Sequence, residues 1–198
     1  QFPWRGGAGL VDAGDGVRAR WARVSERLPH FDGALLDNID DYVTYVFVPA
    51  LLVWHALIVA DQWSIWVCGA MLLSSAYGFS HAEAKTSDHY FTGFPSYWNI
   101  VVFNLYAAEM PQTVNTVVLL SLSVLVFVPI RYVYPSRTPV LRPLTIGLGL
   151  LWAAALLAVL LLEREATRVL LAGSLIFPLY YLVLSLVLTA RRKGPRAA

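Results

Sequence analysis

The sequence predicts an all-α fold, a polytopic transmembrane bundle with about six membrane helices in this chain. Of the 198 residues, 58% are hydrophobic and 14% are charged, whereas soluble domains have roughly 25% charged residues. The mean hydropathy is +0.58. Six apolar runs alternate with polar connections. In lipid, the backbone N–H and C=O groups of such a run must hydrogen-bond to one another, which favours a helix.

The predicted membrane helices follow these apolar runs in chain order. A helix needs about 20 mostly apolar residues to cross the hydrocarbon core, and the third run is the shortest of the set. The runs cover residues 42–60, 63–79, 97–108, 113–130, 144–162 and 169–190. The last two are extra C-terminal helices without a charged side chain, so we expect them to serve packing and lipid contact.

The domain organisation is predicted to be simple. The sequence has no internal repeat and no low-complexity linker, so residues 1–198 are expected to form one membrane domain. The chain begins with Gln1 and lacks the parts of a signal peptide. We therefore expect one or more membrane helices to precede it in the native protein.

Basic residues are concentrated in alternate connections, and this pattern indicates the orientation in the membrane. Short cytoplasmic connections are enriched in Lys and Arg. Such residues precede the first run, follow the second and fourth runs, and close the chain; they are Arg18, Arg20, Arg23, Arg27, Lys85, Arg131, Arg137, Arg142, Arg191, Arg192, Lys193 and Arg196. Both ends of the chain are therefore predicted to be cytoplasmic.

Charge and cysteine content exclude two classes of function. The formal net charge of +2 provides no basic field for nucleic acid. The single cysteine, Cys68, cannot form an internal disulfide or a zinc cluster. Nucleic-acid binding and structural zinc are not expected.

Acidic residues gather before and at the start of the first predicted membrane helix: Asp12, Asp15, Asp32, Asp37, Asp40 and Asp41. If the helix beginning near Gly33 is regular, Asp37 and Asp41 project from one face, one turn apart. Several carboxylates brought together indicate hard divalent cations such as Mg²⁺ or Mn²⁺. The alternative is a solvated acidic cap.

Small and basic residues beside these acids favour phosphoryl chemistry over a solvated cap. Gly16, Ala19 and Gly33 leave room for a ligand close to the backbone. Arg20 offers a planar set of donors suited to phosphate. Carboxylates for metal, an arginine for phosphate and space for a nucleotide together indicate phosphoryl transfer at a membrane surface.

The same residues complete a longer pattern, D-x2-D-G-x2-A-R, a spacer, and G-x3-D-x3-D. Its fixed positions are Asp12, Asp15, Gly16, Ala19, Arg20, Gly33, Asp37 and Asp41. On these residues the chain resembles the CDP-alcohol phosphotransferase family. The spacer has 12 residues, longer than in most of that family. This longer form, with FDGALLDNIDDYVTYVFVPA and AKTSDHYFTGFPSYWNIVVFNLY, is similar to the bacterial subgroup that uses choline.

The resemblance implies a metal-dependent enzyme that transfers the phosphatidyl group of CDP-diacylglycerol to choline, giving phosphatidylcholine and CMP. It implies that Asp12, Asp15, Asp37 and Asp41 bind two divalent cations, Mn²⁺ or Mg²⁺, and that Asp41 is also the general base. It further implies that Gly16, Ala19, Arg20 and Gly33 line the nucleotide pocket. The resemblance also implies a multi-pass protein of the bacterial inner membrane that contacts membrane lipids and has its site on the cytoplasmic side. It leaves open whether the protein forms a homodimer.

Aromatic residues near the acids are candidates for holding choline, because a trimethylammonium group has no N–H donor and binds to aromatic faces. We predict Tyr97 and Trp98 as the leading choline-binding residues, followed by Tyr42 and Tyr45. Lys85 is a candidate phosphate ligand. The alternative is structural, since Tyr and Trp are enriched at membrane interfaces in general.

Two other functions fit parts of the sequence. One is another phosphotransferase of the family with a different acceptor alcohol, such as inositol, serine or glycerol phosphate. The other is a cation-coupled transporter, whose acids should lie near the bilayer midplane. The acids of this chain lie instead at a helix start.

Overall fold

Helices dominate the computed structural model, which describes residues 32–81, 90–135, 138–161 and 164–192. The elements in chain order are α1 (Gly33–Tyr42), a π-helical turn (Val43–Phe47), α2 (Val48–His55), α3 (Asp61–Ser80), β1 (Tyr90–Thr92), α4 (Trp98–Ala107), α5 (Gln112–Leu125), β2 (Arg131–Val133), α6 (Arg142–Leu161), α7 (Arg164–Ser174) and α8 (Ile176–Arg192). Each of the six predicted apolar runs overlaps helical structure, which confirms this part of the prediction, although the run 42–60 continues past α2 and the run 169–190 spans parts of both α7 and α8.

The first helical segment runs without a break from α1 through the π-helical turn into α2. Asp32 caps its start, because one carboxylate oxygen accepts hydrogen bonds from the amides of Ala34 and Leu35, both at 3.0 Å. Farther along, Pro49 has no amide hydrogen to donate to the carbonyl four residues earlier. The helix widens before this proline: the amide of Val48 donates to the carbonyl of Val43, five residues earlier, where a regular α-helix would bond to the carbonyl four residues earlier.

The core lies where α2, α3, α4 and α5 meet the π-helical turn. Its most deeply buried apolar side chains are Val46, Val53, Val59, Val67, Met71, Trp98, Val102 and Leu119, each with at most 1% of its surface exposed. The indole nitrogen of Trp98 donates a 2.7 Å hydrogen bond to the hydroxyl of Ser75 on α3. This bond satisfies the one polar atom that Trp98 brings into the core.

The outer surface of the helices is strongly apolar. Leu73 and Val169 are each 75% exposed, and further large apolar side chains are exposed on α3, α5, α6 and α8. Two segments, Arg142–Val159 and Val169–Arg191, are long and apolar enough to cross a bilayer, while α4 and α5 are shorter apolar helices. Exposed apolar area of this extent is typical of a surface in contact with lipid. How many of the six helical segments cross the bilayer stays a prediction.

The all-α prediction is wrong for two three-residue segments, which pair as antiparallel strands. Tyr90 lies opposite Val133, Phe91 opposite Tyr132, and Thr92 opposite Arg131. Both strands lie in stretches that the sequence predicts as connections between membrane helices. Strands this short have no apolar period of their own, so their formation depends on the neighbouring α8.

Helix α8 stabilises the sheet by supplying partners for one edge of β2. The hydroxyl of Ser185 accepts from the amide of Val133 at 3.1 Å, and the hydroxyl of Thr189 accepts from the amide of Arg131 at 2.9 Å. Each hydroxyl donates in turn to a carbonyl one turn earlier on α8, that of Tyr181 or of Ser185. The edge amides are thereby satisfied in apolar surroundings, where unsatisfied ones are costly.

A tight turn at Gly93 connects β1 to α4. Its φ is +79°, in the region that favours glycine. The amide of Gly93 donates to the carbonyl of Ile130, and that of Phe94 to the carbonyl of Leu125, at 2.9 and 3.0 Å. A Cβ atom at Gly93 would collide with the carbonyl oxygen of Val126. The turn therefore requires glycine, and it sets where α4 begins.

We expect Gly93→Ala to destabilise the protein by at least about 2 kcal/mol, because alanine is strained at this φ and its methyl group collides with backbone. The measurement is the unfolding midpoint of the protein in detergent. Gly69→Ala is the matched control, since a Cβ at that helical position meets no described atom within 4 Å. Equal midpoints for the two variants would contradict the role of the turn.

Candidate functional site

Two carboxylates lie one helical turn apart on α1. Because α1 is a regular α-helix over Gly33–Tyr42, Asp37 and Asp41 project from one face, as the spacing predicts. Asp37 is exposed, whereas Asp41 is partly buried; Asp40 is exposed as well. This pair can supply oxygen ligands to a hard cation.

The remaining residues of the predicted motif lie outside the described part of the chain. They are Asp12, Asp15, Gly16, Ala19 and Arg20, together with the candidate phosphate ligand Lys85. Within residues 32–81, 90–135, 138–161 and 164–192, no group of three or more Asp, Glu, His or Cys side chains is placed to hold a metal. The described residues therefore provide two of the four predicted carboxylates.

The helix that holds these carboxylates is anchored to α3 just after Asp41. The hydroxyl of Tyr42 donates to the carbonyl of Leu72 at 2.9 Å. Its ring meets the ring of Phe79 edge-on, with 5.8 Å between the centroids. Tyr42 therefore fixes α1 against α3, and this contact sets the position of Asp41.

Asp41 lies within electrostatic reach of Tyr97, the residue that precedes α4. Tyr134 lies within the same reach of the Tyr97 hydroxyl. A tyrosine hydroxyl is protonated at neutral pH and able to donate a hydrogen bond. The structure thus brings together a predicted base and a predicted choline-binding aromatic that are far apart in sequence.

Tyr97 belongs to a small group of aromatic side chains. The ring of Phe91 on β1 meets Tyr97 edge-on with centroids 6.4 Å apart, and it stacks on Tyr134 with centroids 4.6 Å apart. The sequence alone assigns no role to Tyr134. The pairing of β1 with β2 is what brings Tyr134 to this place.

The other predicted choline ligands have packing contacts. Trp98 is fully buried, donates its indole N–H to Ser75, and meets Phe94 edge-on at 5.1 Å. Tyr42 is engaged with α3, and Tyr45 is partly buried against the core. In the described part of the chain, these contacts hold helices together.

A cleft of about 280 Å³ lies between the start of α1, the end of α3 and the turn that follows β1. Asn38 lies three residues before Asp41 on α1 and lines this cleft. The other lining residues are Gly78, Phe79, Ser80, His81, Phe91, Thr92, Phe94, Pro95 and Ser96. Among these residues, Ser96 is buried with a φ of +57°, a strained conformation for a residue other than glycine.

Charges are distributed unequally between the two ends of the helices. Arg131 lies at the end that carries the site, where its amide donates to the hydroxyl of Thr189 on α8. Arg191 lies two residues after Thr189 on the same helix. The opposite end holds Asp61, at the start of α3, and Glu109, after α4. The orientation in the membrane stays a prediction from the basic residues of the sequence.

Three phosphatidylcholine synthases are similar to this chain. The protein of Rhizobium meliloti is 37% identical over 196 residues, which cover 99% of this chain and 81% of that protein. The protein of Borreliella burgdorferi is 36% identical over 177 residues, or 89% and 75% of the two chains. The protein of Legionella pneumophila is 48% identical over 130 residues, or 65% and 51%. No protein-family model and no solved structure matches the chain.

Proposed function

The chain belongs to the bacterial phosphatidylcholine synthases, and we propose that it transfers the phosphatidyl group of CDP-diacylglycerol to choline, releasing CMP. The observation that carries this proposal is a match to such synthases along nearly the whole chain. The position of Asp41 beside Tyr97 supports it, because a base and an aromatic face are what a quaternary-ammonium alcohol requires.

We propose Asp12, Asp15, Asp37 and Asp41 as ligands of two divalent cations, Mn²⁺ or Mg²⁺. The described half of this set fits, since Asp37 and Asp41 offer carboxylate oxygens on one helix face at an accessible helix start. Bound there, such cations would neutralise the charge of the diphosphate and of the departing CMP.

Asp41 is the proposed general base. It accepts the proton of the choline hydroxyl while the choline oxygen forms a bond to the phosphorus of the phosphatidyl group. The bond from that phosphorus to the bridging oxygen breaks, and the bridging oxygen leaves with CMP. The proton then passes from Asp41 to solvent, which restores the carboxylate.

The nucleotide is proposed to lie against Gly16, Ala19, Arg20 and Gly33, with Lys85 on phosphate. Gly33 is compatible with this placement, because a Cβ there would meet no described atom within 4 Å. Packing within the described part of the chain therefore does not explain why this position is glycine. A ligand close to the backbone would explain it.

Among the four aromatic residues predicted to hold choline, the contacts support Tyr97 best. It lies near Asp41 and shares its aromatic group with Phe91. Trp98, Tyr42 and Tyr45 are more easily explained as helix-packing residues that support the site. We propose that Tyr97 contacts the acceptor and that the other three act through the position of the helices.

The enzyme is proposed to be a multi-pass protein of the bacterial inner membrane with its site on the cytoplasmic side. Choline and the cytidine nucleotide are water-soluble there, while the acyl chains of the donor stay in lipid. The basic residues at the end that carries the site support this orientation. A homodimer also stays a proposal.

We expect membranes that contain the protein to incorporate radiolabelled choline into phospholipid when CDP-diacylglycerol and Mn²⁺ are supplied, with an equal amount of CMP released. A chelator should abolish the incorporation, and added Mn²⁺ should restore it. Serine, inositol and glycerol phosphate serve as competing acceptors. Product from one of these but none from choline would overturn the choline assignment, and transport of choline without CMP release would indicate a transporter.

We expect Asp41→Asn to lower turnover by roughly 10²–10⁴-fold, because the amide cannot take the hydroxyl proton. Nucleotide binding should be largely retained. Asp40→Asn is the matched control: it changes an adjacent, exposed carboxylate that lies outside the motif, and it should keep near-normal activity. Full activity of Asp41→Asn would exclude the proposed base.

We expect Asp37→Asn to raise the Mn²⁺ concentration needed for half-maximal activity by roughly 10-fold or more, because a cation ligand becomes neutral. The measurement is initial rate against free Mn²⁺, compared with the Asp40→Asn variant. An unchanged Mn²⁺ dependence would count against Asp37 as a ligand, even if the rate itself fell.

A further inference from the structure

Strand alternation puts the ring of Phe91 and the guanidinium group of Arg131 on opposite faces of the small sheet. Successive side chains of a strand point to opposite faces. Phe91 and Tyr132, which are paired, share one face, while Tyr90 and Arg131 share the other. The guanidinium of Arg131 lies 4.0 Å above the Tyr90 ring. Its charge is thereby kept away from the face that carries Phe91.

The face of Phe91 continues into aromatic groups from three other parts of the chain. Tyr134 stacks on Phe91, and Tyr97 meets Phe91 edge-on. Tyr132 stacks on Tyr181 of α8 with centroids 6.1 Å apart. The C-terminal helix, expected from its sequence to serve packing and lipid contact, thus places an aromatic residue behind the site.

The hydroxyl of Tyr181 is buried and has no hydrogen-bond partner among the described residues. It lies within electrostatic reach of Tyr97, whose hydroxyl in turn lies near Asp41. A buried hydroxyl without a partner is costly. Together with the Asp41 carboxylate, the Tyr181 hydroxyl gives the surroundings of Tyr97 a polar as well as an aromatic character.

The chemistry of this place favours a cation without N–H donors. The rings of Phe91, Tyr97 and Tyr134 have faces of negative potential, which attract a cation, and the nearby Asp41 carboxylate adds negative charge. An anion would be repelled by Asp41. An ammonium group with N–H donors would need several acceptors, whereas a trimethylammonium group needs only aromatic faces and a nearby negative charge.

We propose that Phe91, Tyr97 and Tyr134 form the acceptor site for the trimethylammonium group of choline, next to Asp41, and that Tyr181 of the C-terminal helix closes it from behind. This inference rests on the proposed function and extends it, because Phe91, Tyr134 and Tyr181 belong to no part of the family motif. It assigns a role in acceptor recognition to the segment from β1 to α8.

The test compares choline with its neutral carbon isostere, in which a tert-butyl group replaces the trimethylammonium group. CMP release from CDP-diacylglycerol is measured with each acceptor, for the full chain in membranes. Tyr134→Leu should raise the KM for choline by roughly 10-fold and lower the preference for choline over the isostere by a similar factor. The KM for CDP-diacylglycerol should stay unchanged.

Further variants show whether the preference for choline depends on the aromatic ring of residue 134. Tyr134→Phe keeps the aromatic face and should keep the preference for choline within about twofold. Tyr106→Leu is the matched control, because Tyr106 is 51% exposed near the far end of α4, and it should leave the preference unchanged. Phe91→Leu repeats the test if Tyr134→Leu fails to fold.

The outcomes separate this inference from the proposed function. A wild-type chain that releases no CMP with choline overturns both. A wild-type chain that uses choline, together with leucine variants that keep its preference over the neutral isostere, overturns the acceptor site alone. An equal loss of activity with both acceptors also overturns it, because a merely structural role would not distinguish a cation from its neutral isostere.

Discussion

The amide groups at a strand edge need hydrogen-bond partners, and a buried amide without one is costly. Here the hydroxyls of Ser185 and Thr189 on α8 supply them to β2. Because β2 in turn holds β1, this edge contact is what allows a sheet of two three-residue strands to exist. The turn at Gly93, the start of α4 and the position of Tyr97 all follow from the sheet.

The site therefore depends on elements that are distant in sequence. Asp37 and Asp41 come from the first helix, whose position Tyr42 fixes by its bond to the carbonyl of Leu72. Tyr97 comes from the turn after β1, and Tyr134 follows β2. The chemistry of phosphoryl transfer is proposed for the acidic helix, and recognition of the acceptor is proposed for the aromatic segments that the sheet brings toward it.

The parts of the molecule that sequence could predict are those with local causes. Apolar composition locates the helical segments, and the i to i+4 spacing places Asp37 and Asp41 on one face. The sheet could not be predicted, because its stability comes from α8, about fifty residues beyond β2. Composition also cannot separate Trp98, an aromatic in the core, from Tyr97, an aromatic at the site. That distinction depends on the register of β1 and on the serine that faces the indole.

The π-helical turn before Pro49 inserts one residue into a helix that otherwise advances about 100° per residue. The angular direction of everything before the turn, including both carboxylates, is therefore offset relative to the packed half of the helix that follows it. A helix that passed Pro49 in unbroken α register would direct Asp37 and Asp41 elsewhere, with the same residues at the same spacing. The direction of the acidic face is thus set by a backbone irregularity that begins two residues after Asp41, where the helix becomes hydrophobic.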